Sequence, residues 1–167
     1  MNLFGKIFSG LNRRSVRYIV AGGVAVNLYG IERATADLDL LLVLDGENLG
    51  KFVKAARELG LKTKLPVGLD DIVDAEKRKA WVTDKNMKVF SLYDARNPFF
   101  LLDVLIDPPF DIEAMHSRRR EFNFEDTAIP VIAIQDLIAM KEASDRPQDR
   151  ADVFHLKRIV EEWKDEQ

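Results

Sequence analysis

Three aspartates stand where apolar strand residues would be expected. In "GGVAVNLYGIERATADLDLLLVL", residues 22–44, Asp37 and Asp39 alternate with leucine at the head of a hydrophobic run. "FFLLDVLID" sets Asp103 inside a second such run, apolar on both sides as in a strand buried on both faces. Successive side chains alternate faces along a strand, so Asp37 and Asp39 project together from one side. Carboxylates held that close repel, and one stays protonated unless a cation sits between them. Oxygen donors suit magnesium or manganese, and the chain offers no cysteine and only two histidines, His116 and His155, to compete. Asp103 supplies a third carboxylate. Asp107 faces the same way four residues on, but it adjoins Pro108 at the strand end and is the weaker candidate.

Such a set does phosphoryl-transfer chemistry. Two metal ions about 3.5–4 Å apart, held by Asp37, Asp39 and Asp103, would activate an acceptor hydroxyl and stabilise a pyrophosphate leaving group. Asp103 is the group placed to draw the proton from that hydroxyl. No protein nucleophile is required, which agrees with the absence of cysteine. Gly22 and Gly23 follow one strand and open a helix, where backbone N–H groups can approach a phosphate; the alternative is a tight strand–helix turn. Arg33 either forks onto phosphate or braces its loop by pairing with Glu32 or Asp37. Thr35 reads as a hydrogen-bonding loop residue. "HSRRRE", with His116, Arg118, Arg119 and Arg120, either guides a nucleic-acid backbone or is a solvated helix face. His155 reads as a helix-packing residue, and Trp81 and Trp163 as core or rim aromatics.

The elements that must position these groups follow from periodicity. Leu3, Phe4, Ile7, Phe8 and Leu11 recur at helical spacing and predict an amphipathic first helix. "RYIVAGG" is a short strand, "VAVNLYG" a short helix closed by Gly30, and "DLDLLLVL" the clearest strand. "GENLGKFVKAARELG" is a helix stopped by Gly60, "LKTKLP" a weak strand, and "LDDIVDAEKRKAWVTDKN" partly helical. "MKVFSLYD" and "FFLLDVLID" are two further strands, the second ended by Pro108 and Pro109. A short helix "DIEAMHSRRR", a strand "TAIPVIA", a helix "AIQDLIAMKEAS" and a charged helix from Pro147 to Lys164 complete the chain. Strands first and helices last predict an α/β (α+β) fold: a mixed sheet flanked by helices, in one domain over 1–167 with a core at about 16–132 and closing helices at about 133–165.

Composition narrows the class. The 167 residues carry a net charge of −3, are 47% hydrophobic and 32% charged, and supply ample material for a core. A global cationic field for nucleic acid is therefore absent, although a local patch is open. Without cysteine, disulfides, thiolate catalysis and cysteine-based metal centres are excluded. No leader pattern and no membrane-spanning run are visible, so a cytoplasmic protein is expected.

The arrangement resembles the nucleotidyltransferase fold of the DNA polymerase β-like superfamily: a hydrophobic Gly-Gly turn, an Asp-x-Asp strand and a third acidic strand. Within it, "AGGVAVNLYGIERATADLDLLL" is similar to minimal and abortive-infection-type nucleotidyltransferases, whose Arg-x-Thr-x-Asp-x-Asp string reads here as Arg33, Thr35, Asp37 and Asp39. The likeness is densest over residues 18–44 and extends through "LLDVLID" to "IQDLIAMKEASDRPQDRADVFHL". In that last stretch the family places a lysine and an Arg–Asp pair facing the cleft, and Lys141, Arg146 and Asp149 occupy those positions. Where many members carry serine as the second turn residue, Gly23 offers only backbone. The resemblance implies a magnesium- or manganese-dependent transfer of NMP from an NTP, with Gly22, Gly23, Arg33, Thr35, Lys141 and Asp149 binding the nucleotide. Lys141 has a plainer reading as a solvated lysine, and Asp149 and Asp152 as anchors for Arg146 or Arg150. Acceptors in the resembled branches include RNA (tRNA among them), proteins and small molecules. The toxin branch further implies an antitoxin partner. The rival readings are a non-catalytic nucleotide- or RNA-binding module that retains the fold, and a glycosyltransferase, against which the early Gly-Gly turn argues.

Overall fold

Alternation of buried and open positions along the strands decides which face of the sheet holds the core and which the carboxylates. The computed structural model describes residues 2–166. Its strands are β1 (Tyr18–Ala21), β2 (Leu38–Leu42), β3 (Leu61–Thr63), β4 (Val89–Asp94), β5 (Asn97–Leu105), β6 (Arg120–Phe124) and β7 (Thr127–Val131). They form one mixed sheet in the order β3-β4-β5-β2-β1-β7-β6. On β4 and β5, Phe90, Leu92, Phe100, Leu102 and Val104 are buried, whereas Ser91, Tyr93, Leu101, Asp103 and Leu105 are half-buried on the other face. The two-sided burial expected around Asp103 is thus corrected. Its strand has one core face and one open face, where Leu101 is half-buried and Leu105 lines a cleft.

The core face is covered by α1 (Leu3–Arg13), α3 (Gly46–Glu58) and α4 (Ala75–Lys85). Asn2 caps α1 by accepting from the Gly5 N–H at 2.9 Å, and Ile7, Phe8 and Leu11 point inward at helical spacing. Phe8 stacks on Tyr18 with centroids 6.4 Å apart, Phe4 meets Phe100 at 5.5 Å, and Trp81 stacks on Phe90 at 5.7 Å. Buried Asn48 accepts from the Arg17 N–H at 2.7 Å and donates to the Arg17 and Val43 carbonyls at 2.9 and 2.8 Å, lacing the start of β1 to the end of β2. Burying that amide is tolerable because it is fully bonded.

The remaining helices are α2 (Gly22–Leu28), α5 (Ile112–Ser117), α6 (Ile134–Ser144) and α7 (Pro147–Asp165), with a 3₁₀ turn at Leu69–Val73. Several boundaries differ from the sequence reading. Both glycines lie inside α2 rather than before it, and β2 begins at Leu38, leaving Asp37 on the loop that feeds it. "HSRRRE" is not one helix face: α5 ends at Ser117 and β6 starts at Arg120. The charges of the run are dispersed. Arg118 donates to Asp136 at 2.9 and 3.0 Å, Arg119 pairs with Glu121 at 3.2 Å, and Arg120 lies 5.1 Å over the Trp163 ring. His155, read as a packing residue, is exposed on α7 with its ring against Phe154.

Candidate active site

Sheet register brings the carboxylates together. Asp39 on β2 is the direct partner of Ala21 on β1 and of Asp103 on β5, and Asp103 in turn faces Ser91 on β4. Neighbouring strands run about 4.8 Å apart, so this row sets two aspartates side by side with the Gly-Gly turn at one end. Asp37 precedes Asp39 by two residues and acts electrostatically on both partners. Burial first, then repulsion from Asp103 and Asp37, pushes the Asp39 carboxyl up to about 6, with Lys141 and Arg146 opposing. Asp103 is also raised, chiefly by burial, against the hydrogen bond it accepts from Ser91 Oγ at 2.7 Å.

The donor chemistry fits a hard cation. Among the described residues no side chain donates to Asp37 or Asp39, and Asp103 has one oxygen engaged, so oxygen lone pairs are left free beside one another. As the side chains stand, no three acidic, histidine or cysteine groups among the described residues converge on one point. Asp39 leans on Gly22 and Asp103 on Ser91. Gly22 has φ +62°, and a Cβ there would overlap the Asp39 carboxylate; a Cβ on Gly23 would lie 2.7 Å from Thr35 Oγ1 and 3.3 Å from Arg33 Cζ. Only glycine lets the turn close this tightly over the acidic row. Ala21 contributes no side-chain cap to α2, so the first N–H groups of that helix lack the usual cap acceptor. Thr35 Oγ1 donates to the Asp37 carbonyl at 3.4 Å and holds the loop's course.

Opposite the carboxylates, α6 and α7 present an ion cluster. Lys141 is buried, not solvated: its Nζ lies 2.9 Å from Asp152 Oδ2 and 3.4 Å from Asp149 Oδ1. Arg33 pairs with Asp152 as well, rather than with Glu32 or Asp37, and its Nε is buried without a partner. Asp149 sits at the third position of α7 and accepts from Ser144 Oγ at 2.6 Å, from Arg146 Nε at 2.7 Å and from the Arg146 N–H at 3.2 Å. Burial works to raise its carboxyl, yet the bonds from Arg146 and Ser144 outweigh burial and hold it well below the usual carboxylate range. Arg150, the other candidate partner, binds Asp145 at 2.8 Å. Asp149 is therefore a fully engaged anchor, and Asp152 is the hub that gathers two cations.

A cleft of about 440 Å³ joins the two halves. Gly22, Asp39 and Asp103 form one wall, Lys141, Arg146 and Asp149 the other, and Leu105, Phe110 and Met140 an apolar flank. Arg33 and Thr35 stand behind the turn, and Asp107 lines a different cavity, with Val43 and Ile112. Ser91, a lone hydroxyl among the open-face positions of β4, was missed in the sequence, and the expectation that Asp152 anchors Arg146 or Arg150 is corrected: it pairs with Lys141 and Arg33, which reach it from α6 and from the loop before β2.

Comparison with known proteins follows the same lines. The model of the family described as nucleotidyl transferase AbiEii toxin, type IV toxin–antitoxin system, matches residues 13–159. The fold is similar to that of the lincosamide antibiotic adenylyltransferase LnuA in its lincomycin-bound form, at 18% identity and TM-score 0.56, covering 89% of this chain and 90% of that one. A putative nucleotidyltransferase from Thermotoga maritima aligns at 13% identity and TM-score 0.58 over 99% of this chain and 92% of its own. ANT(2'')-Ia in complex with adenylyl-2''-tobramycin aligns at 18% identity and TM-score 0.54 over 92% and 84%. A search of curated proteins finds no match. No described helix is long and apolar enough to cross a membrane.

Proposed function

The chain belongs to the AbiEii family of nucleotidyl transferase toxins of type IV toxin–antitoxin systems, and from that premise we propose that it moves an NMP from an NTP to an acceptor hydroxyl with magnesium or manganese held by Asp37, Asp39 and Asp103. The observation that carries this reading is the register row Ser91–Asp103–Asp39, which faces Lys141 across one cleft. The metal, when bound, lowers the pKa of the acceptor hydroxyl and offsets charge on the triphosphate.

The chain's own residues then divide the work. Asp103, raised by burial and steadied by Ser91, takes the proton of the attacking hydroxyl at the oxygen that Ser91 leaves free. Gly22 and Gly23 let the triphosphate approach backbone N–H groups without a Cβ in the way. Lys141, with Arg146 at the cleft's rim, supplies positive charge to the phosphates. Arg33 and Thr35 hold the loop in place behind the turn, and Asp149 and Asp152 position the cations without touching substrate. The enzyme works in the cytoplasm, restrained by an antitoxin partner.

The test is incubation with each of the four α-labelled NTPs, magnesium or manganese, and total cellular RNA and protein. Label should appear on one acceptor class with one preferred NTP, and Asp103→Asn should abolish it. A folded parent that binds metal–NTP yet labels nothing, and that behaves like Asp103→Asn throughout, would instead identify a binding module that keeps the fold.

A further inference from the structure

The sheet has two ends, and they are finished differently. At one end β3 is three residues long, carries exposed Lys62 and is followed by Lys64 and Pro66, a short, lysine- and proline-bearing edge that discourages further pairing. At the other end β6 has five residues, no proline and no register shift against β7. It joins β7 through the two-residue turn of Glu125 and Asp126, so the closing pair Phe124–Thr127 exchanges backbone hydrogen bonds. Alternate pairs after it do the same, Phe122 with Ile129 and Arg120 with Val131. The N–H and C=O groups of Glu121 and Asn123 therefore point away from β7. Pro130 fits this phase, because it stands opposite Glu121, at a pair where β7 gives β6 no N–H. Among the described residues no strand lies beyond β6, and Glu121 and Asn123 are exposed.

Charges along this edge are ordered by sign. Arg118, Arg119 and Arg120 lead into the strand, and Glu125 and Asp126 leave it. Such a segment is complementary to its own reverse. Two copies of β6 running antiparallel about a two-fold axis at Phe122 set Glu121 opposite Asn123 of the second copy, where both outward-facing backbones exchange hydrogen bonds, twice by symmetry. Arg119 then faces Glu125 of the second copy. An axis at Glu121 would set that carboxylate against itself, and an axis at Asn123 would set Glu121 against Glu125; both place like charges directly opposite. An axis between residues matches outward groups with inward ones. Arg118 is committed to Asp136, but Arg119 holds only exposed Glu121 at 3.2 Å and the His116 carbonyl at 2.9 Å, and Glu125 is exposed with no ion pair among the described residues. Phe122, at the axis, is held half-buried against Tyr29 with centroids 5.2 Å apart. We propose that β6 pairs with β6 of a second copy of this chain in the Phe122-centred register, joining two seven-stranded sheets edge to edge. This pairing stands apart from the transfer chemistry, since no residue that lines the catalytic cleft lies on β6.

Analytical ultracentrifugation of the full chain tests the pairing. An edge contact belongs with the weaker interfaces, under about 1,200 Å², so the range is wide, about 5 to 500 μM. The parent should pass from monomer to dimer across it, and added salt should weaken the association. Asn123→Pro removes an outward N–H that β7 does not use; it should keep the parent's melting temperature and leave a monomer. Arg119→Glu should weaken dimerisation about tenfold or more, because it sets like charges opposite each other twice. Combining Arg119→Glu with Glu125→Arg restores opposite charges across the axis and should recover the parent's affinity. A parent that stays monomeric at the highest concentration refutes the pairing. A dimer that survives in folded Asn123→Pro refutes β6 as the interface, and a double variant no stronger than Arg119→Glu refutes the register. Should Asn123→Pro unfold, the charge reversal and its rescue decide alone.

Discussion

Replacing Asp39 with asparagine should make the metal-free protein more stable, and the size of the gain follows from the site. In the folded state burial and the charges of Asp103 and Asp37 raise the Asp39 carboxyl from 3.8 to about 6. The folded form therefore binds a proton more tightly than the unfolded chain, and the parent loses stability as pH climbs from about 4 through about 6. At about 1.4 kcal/mol for each tenfold change in acidity, the ionised carboxylate costs the native state up to about 3 kcal/mol at neutral pH. Water reaching the cleft screens part of this, leaving about 1–2 kcal/mol. Asp39→Asn keeps the shape, removes the charge and should recover that amount. Urea denaturation in chelator from pH 4 to pH 8 measures it. The two proteins should match near pH 4 and diverge by pH 7. Added magnesium should stabilise the parent and leave the variant unchanged. A variant less stable than the parent at pH 7.5 in chelator would refute the reasoning, for it would mean that Asp39 has a structural cation or donor as its partner.

Asp103→Asn should retain metal–NTP binding and lower label transfer by about a hundredfold or more, the scale of losing a general base or electrostatic stabilisation; equal rates at equal folded fraction would remove Asp103 from the reaction. Asp152→Ala leaves Arg33 without its carboxylate and Lys141 with Asp149 alone, and should lower stability in urea denaturation by more than Lys141→Met, which leaves Asp152 with Arg33 and Asp149 with Arg146. Because Asp149 is held below its ordinary value of 3.8, its contribution is complete at neutral pH and lost as pH falls beneath that value. Acid titration of stability should accordingly be flatter for Asp149→Asn than for the parent. Gly22→Ala should abolish transfer, since the added methyl overlaps the Asp39 carboxylate at a positive φ; a fully active variant would show that the turn is free to move.

The acidic row was legible because charge inside an apolar run is anomalous, and because period-two alternation fixes which residues share a face. Lys141 was legible only in part: its spacing with Leu137 and Ile138 puts it on the buried side of α6, but a lysine there also reads as solvated until Asp149 and Asp152 are seen to receive it. Strand β6 escaped notice because its first residues are charged, although Phe122 and Phe124 keep the two-residue period. The partner of Arg33 could not be read at all. Asp152 lies 119 residues away, and a sequence exposes only near neighbours as pairing candidates. Likewise the expectation of burial on both sides of Asp103 failed for a tertiary reason. Leu101 and Leu105 are only half-buried and Leu105 lines the cleft, and hydrophobicity alone does not distinguish a core face from a cleft wall.

The placement of the cations explains why a protein would bury Lys141, Asp149 and Asp152 where an apolar patch packs as well. Had Lys141 closed directly on Asp39, it would neutralise the carboxylate that the metal needs and lose its own charge for the phosphates. Asp152 prevents this by holding Lys141 at 2.9 Å and also engaging Arg33, while Asp149 keeps Arg146 at 2.7 Å. From these positions Lys141 and Arg146 still act on Asp39 through space, opposing the rise that burial and its acidic neighbours cause. Asp39 thus remains free of any donor, repelled by Asp103 and Asp37 and only partly offset by cations held at a distance. That imbalance is what a divalent ion would relieve on binding, and the anchored lysine and arginine face the same cleft into which the triphosphate must enter.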